Sequence, residues 1–186
     1  MWFSRNGWGW GDTFNTPTDT LSLGSWTIIQ NTIDNGTSNI GMAIAWAIAD
    51  ASPGTGTISA NWSGSVTNVR MALIEIESNF DTTTPIAQSE ITVDTSTLAL
   101  NTTDNLPSTP NDNSVIVASY LGYNNGVGSL SPDTGYTALT TQIGNGFHFN
   151  TQWADGSNGT QYGGSMETTA PADRDWETSS VSITKI

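Results

Sequence analysis

Glu75 and Glu77 stand two residues apart, a spacing that puts both carboxylates on one face of a strand. Two carboxylates set across a sugar ring can serve as the acid and the nucleophile of a glycosidase. The pattern stops at two, since Ser78 and Asn79 follow. Solvated charges near a strand end are the simpler expectation, and no enzymatic activity is expected. His148 is the sole histidine and lies between Phe147 and Phe149. A serine–histidine–acid system needs a positioned nucleophile, and no G-x-S-x-G elbow is present, so His148 reads as a surface residue between inward phenylalanines. Cysteine is absent, which removes disulfides, thiolate metal sites and cysteine nucleophiles together.

Oxygen donors form two clusters, Asp104-Asn105 with Asn111-Asp112-Asn113, and Asp173 with Asp175. Calcium takes such ligands from acidic loops, but neither group follows the EF-hand spacing. Turn chemistry is the expectation, with no metal and no cofactor. Aromatic residues offer a different chemistry. Trp62, Tyr123 and Trp153 fall at expected strand ends or loops, where an exposed ring can stack on a sugar. They are the candidate glycan-binding residues, while Trp26, Trp46 and Trp176 are expected in the core.

The elements that must hold these residues are strands. Over Gly41–Asp50, GMAIAWAIAD, the residues Met42, Ile44, Trp46 and Ile48 alternate with four alanines. Period two gives a strand with one bulky face and one smooth face. Alanine is a poor strand former, so packing on both faces must override propensity. Further strands are expected over Thr20–Leu23, Trp26–Thr32, Ile40–Ala49, Gly56–Trp62, Asn68–Glu77, Ser89–Thr95, Ser114–Tyr123, Tyr136–Gln142, Gly146–Trp153 and Trp176–Ile183, each closed by turn residues. Asn145-Gly146 supplies the positive φ angles of a tight hairpin, joining two of these strands. Residues 98–113 read as a long crossover loop. The expected fold is all-β: one antiparallel β-sandwich, jelly-roll or Ig-like.

Ahead of it stands MWFSRNGWGWGDTFN, with neither helical nor sustained strand periodicity. Residues 1–15 are expected to form an extended N-terminal arm and 16–186 a single sandwich domain. Trp2, Phe3, Trp8, Trp10 and Phe14 are costly to leave in water. They are expected to lie against the domain's own core opening or against a neighbouring subunit. On the second alternative they are the partner-binding residues, and a chain without residues 1–14 folds but does not assemble.

Composition sets the class of partner. Among 186 residues the formal charge is −13, with four basic residues. That leaves too little positive charge to neutralise a row of phosphates, so neither nucleic acid nor an anionic membrane is an expected partner. Charged residues make up 11% against roughly 25% in ordinary soluble domains, and Thr, Ser, Asn and Gly supply nearly half the chain. No apolar run approaches the roughly 20 residues of a membrane span, and the N-terminus does not read as a signal peptide.

This acidic, cysteine-free, Thr/Ser/Asn/Gly-rich sandwich with an aromatic arm resembles the accessory proteins of tailed-phage virions, in particular head decoration (cement) proteins. GMAIAWAIAD and YTALTTQIGNGFHFNTQWA are similar to a sandwich module of phage and bacterial surface proteins. The resemblance implies a structural virion protein that binds the major capsid protein or other virion subunits. It also implies a homo-oligomer, expected as a trimer. The alternatives are a carbohydrate-binding or adhesion module of a phage tail or of an extracellular cell surface, and behind it a sandwich hydrolase using Glu75 and Glu77.

Overall fold

The computed structural model describes residues 2–6, 12–33, 40–50, 52, 54–77, 79–94, 106, 113–123, 132, 134–144, 147–156 and 176–186. In chain order the strands are β1 (Trp2–Asn6), β2 (Thr18–Asp19), β3 (Thr27–Ile33), β4 (Ile40–Trp46), β5 (Ile58–Ser59), β6 (Asn68–Ala72), β7 (Ile86–Asp94), β8 (Ser114–Tyr123), β9 (Thr137–Gly144), β10 (Phe147–Asp155) and β11 (Trp176–Thr184). They form a four-stranded sheet, β3-β4-β1-β6, and a five-stranded sheet, β7-β11-β8-β10-β9. All their pairings are antiparallel. β2 and β5 form a separate short ribbon. The chain is all-β and sandwich-like.

Burial explains how the sheets come together. Ile40, Met42 and Ile44 of β4 and Ala72 of β6 meet Val117, Leu121, Phe149, Val181 and Ile183 of the facing sheet in one core. Phe149 is fully buried there. Phe149→Ala is expected to lower stability by about 3–5 kcal/mol, readable from the urea midpoint.

The far face of β4 carries Ala43 and Ala45, and a second cluster covers it through Phe14 and Trp62. The Phe14 and Trp62 rings meet edge to face at 5.0 Å. Small side chains at Ala43 and Ala45 leave that aromatic pair its space, so both faces of the alternating segment are packed. The ribbon holds the covering layer in place. The Asn15 amide donates to the Asn61 carbonyl at 2.9 Å, and the Ser63 amide donates to the Thr13 carbonyl at 2.8 Å. Ordinary strand alternation sends Ile28 of β3 to this cluster and Ile29 to the first.

The expected strand at Thr20–Leu23 is absent, since Asp19 curls those residues into a loop after the two-residue β2; the other expected strands are found with shifted ends. β8 keeps its expected bounds, Ser114–Tyr123, and β9 pairs with β10 up to Gly144 and Phe147, on either side of Asn145-Gly146. β4 stops at Trp46, where its partner β3 begins opposite at Thr27. β6 stops at Ala72, opposite the first residue of β1. Glu75 and Glu77 therefore lie beyond the strand on which they were expected, and both are exposed. Most of the expected crossover loop lies outside the described residues, but β7 and β8 are separated by β11 in the sheet, so their connection does cross over.

The aromatic N-terminus differs most from expectation. Trp2–Asn6 is an interior strand, paired to β4 on one side and β6 on the other. Five residues are too few to display a period of their own, and two flanking ladders supply the order instead.

Candidate functional site

Strand β6 is an edge of the four-stranded sheet, and its alternation points Val69, Met71 and the following Leu73 outward. They are 44%, 42% and 59% exposed. Exposed Leu139 of β9 joins Met71 and Leu73 across a concavity of about 330 Å³. The two sheets are stitched there by the Gln142 side-chain amide, which donates to the Met71 carbonyl at 3.0 Å. Single exposed apolar residues are ordinary on a protein surface, whereas a continuous stripe marks an interaction site.

The stripe runs into a larger groove at one end of the sandwich. This groove encloses about 650 Å³ and is lined by Trp26, Trp46, Ile48, Ile74, Phe80 and Ile86, among others. Each wall is fixed by a carboxylate, Asp19 at the end of β2 and Asp81 in the loop before β7. Asp19 accepts from the Leu21 amide at 2.8 Å, the Leu23 amide at 3.2 Å and the Trp26 indole at 2.7 Å. Those bonds curl the loop before β3 and hold the Trp26 ring on the groove. The Gly24 amide donates to the Ile48 carbonyl at 2.8 Å and ties that loop to the end of β4. On the opposite wall Asp81 accepts from the Thr83 amide at 2.7 Å, the Thr84 amide at 3.1 Å and the Thr84 hydroxyl at 2.8 Å. Asn79, at φ 64°, turns the chain between the Glu75–Glu77 stretch and this wall. Asparagine is among the few residues that tolerate that conformation.

The indole bond, helped by the loop amides, holds the Asp19 carboxyl below its ordinary value of 3.8. The Thr84 hydroxyl, followed by the Thr84 and Thr83 amides, does the same for Asp81. A carboxyl lowered on folding adds stability that is present above the ordinary value and is lost as pH falls through the lowered one. Asp19→Asn is therefore expected to melt below wild type at neutral pH, with the gap closing in acid below pH 3.8. Thermal melts of both proteins across that range check it; a gap independent of pH would show that the carboxylate charge is not what the loop uses.

The candidates read from sequence fall mostly elsewhere. Phe14 is 4% exposed and Trp62 is 4% exposed, each covering the other. Phe14 thus presents no ring to a partner, and Trp62 presents none to a sugar. Trp153 is half-buried against the main core. For Trp2 and Phe3 the backbone is that of β1; their side chains, the Tyr123 and His148 side chains, Trp8 and Trp10 lie outside the described residues. So do Asp104, Asn105, Asp112, Asp173 and Asp175. Among the described residues no group of three or more His, Cys, Asp or Glu is placed to hold a metal ion. Trp26 and Trp46, expected in the core, are half-buried and line the groove. The exposed stripe was missed, although the alternation V-R-M-A-L on a strand carried its signal.

Comparison with protein-family models, curated proteins and solved structures finds no match. The surface itself has to carry the functional argument. In it an apolar stripe and an apolar groove meet on an otherwise acidic protein.

Proposed function

We propose that this chain is a non-enzymatic structural protein of a virion, one that decorates or stabilises a phage capsid. The observation that carries the reading is the apolar stripe of Val69, Met71 and Leu73, left in water beside Leu139. A surface of this kind suits permanent association, and repetition over a lattice multiplies a modest affinity per site. The sandwich supplies a rigid body, as either a jelly-roll or an Ig-like module. Adhesion is placed on the stripe and not on Phe14, because the Phe14–Trp62 pair is buried inside the fold. The partners are the major capsid protein or other virion subunits, and further copies of the chain, as a trimer. The site of action is the virion surface.

The test is saturation binding of the purified chain to capsid shells assembled without it, followed by sedimentation. Saturation at a fixed ratio to the major capsid protein supports the reading. Absence of binding to intact shells at micromolar concentration overturns it.

A further inference from the structure

The stripe and the groove meet at Leu73, Ile74 and Glu75, which line both concavities. Away from that junction Val69 and Met71 have the uncharged Asn68 and Thr67 beside them, with Arg70 on the alternate face of β6. Among the described residues that line the groove the charged ones, Glu75 and Asp81, are both acidic. Glu75 lines it, Glu77 follows, Asp50 stands just beyond Ile48 and Ala49, and Asp81 closes the opposite wall. Glu75, Glu77 and Asp50 are exposed, and no ion pair occupies them among the described residues. The lysine that contributes an ion pair in the described part, Lys185, is held by Asp155. The groove floor is apolar and aromatic, with Trp26, Trp46, Ile48 and Phe80. A volume of about 650 Å³ lies in the range of sites that bury most of a bound ligand.

We infer that this groove binds an extended segment of a partner protein in which apolar residues alternate with lysine or arginine. Alternation follows from the site's form. An extended chain sends successive side chains to opposite sides, so one set enters the apolar floor and the other reaches the carboxylates at the rim. A second copy of this chain is a poor occupant, because a body of charge −13 would bring more acid to an acidic rim. The two walls held by Asp19 and Asp81 are set before the segment arrives, which reduces the ordering cost of binding. The inference rests on the assembly reading above and deepens it by naming the chemistry of the partner.

The experiment is titration calorimetry of the whole chain with two synthetic extended peptides, one alternating leucine with lysine and one alternating leucine with glutamate. The lysine peptide is expected to bind and to weaken as salt rises, while the glutamate peptide does not bind. Glu75→Gln with Glu77→Gln, both at exposed positions, is expected to weaken the lysine peptide about fivefold and to flatten its salt dependence. Ile48→Asp is expected to weaken it by about tenfold or more, with melting curves confirming that each variant folds. Equal binding of the two peptides, or no change in the Glu75→Gln, Glu77→Gln protein, overturns the inference. So does self-association that is lost in Ile48→Asp without peptide binding, since it assigns the groove to a second copy. The stripe variant Val69→Glu with Met71→Glu separates the two proposals: it leaves peptide binding unchanged and removes attachment to shells.

Discussion

A chain lacking residues 1–6 is expected to show no cooperative unfolding transition in urea or on heating. Trp2–Asn6 faces β4 over five residue pairs and β6 over five more. Its removal opens the four-stranded sheet in the middle, leaves β6 with no strand partner, and exposes the inner edge of β4. Each lost backbone hydrogen bond contributes about 1 kcal/mol net, and two whole ladders vanish together with the packing they hold. Against a total stability of about 5–15 kcal/mol, that loss is decisive. An arm that merely lay on a neighbour would give the opposite result: a truncated chain melting like the full one and defective only in assembly. Circular dichroism on the two chains distinguishes these outcomes. A truncated protein with the full-length melting temperature would restore the arm as a separate adhesive element.

How legible the fold was depends on how much of each signal was local. The β4 segment could be read because its period of two spans the whole strand and because its alanines imply a crowded second face, which the Phe14–Trp62 pair provides. The β9–β10 hairpin could be read because the Asn-Gly signal is local to a few residues, and Gly144 and Phe147 on either side of it are paired. β1 could not be read, since its order comes from β4 and β6, which lie far along the chain. The burial of particular hydroxyl residues was not legible in the Ser/Thr content: Ser119, Thr151 and Ser179 sit in register across β8, β10 and β11 and are buried between the sheets. On the other face of the same strands Asn150, Ser180 and Ser182 are buried as well. Burial of the first set follows from the facing sheet and not from the residues' own preference. Tyr120 shows the same dependence on context. A Cβ at Gly122 would collide with its phenol, so the glycine lets the ring lie along the strand, and burial pushes the phenol above the ordinary tyrosine range.

The site was less legible than the fold. Sequence reading favoured aromatic residues as adhesive, because rings are the costliest side chains to expose. Phe14 and Trp62 satisfy that cost inside the molecule. Trp26 and Trp46 are half-buried on the groove, Trp26 held there by its indole bond to Asp19. The stripe on β6 consists of aliphatic residues of modest size. What makes it a surface is its edge position and the early end of β6, neither of which a local pattern carries.

The second large effect belongs to that stripe. Val69→Glu with Met71→Glu places two carboxylates on a face that is about 40% exposed in the free chain and dry once a partner covers it. Free, the variant is expected to fold and melt within about 1 kcal/mol of wild type, as substitutions at exposed positions usually do. Bound, it would have to bury two unpaired charges, which costs several kcal/mol. Attachment is expected to weaken by at least about a hundredfold, equivalent to about 3 kcal/mol.

The decisive measurement is sedimentation of capsid shells with the wild-type chain and with this folded variant across the same concentration series. Wild-type saturation at a fixed ratio, with the variant left in the supernatant, is the result expected of a protein that decorates a lattice through β6. Equal saturation by both proteins would contradict that account and place the adhesive surface elsewhere on the molecule.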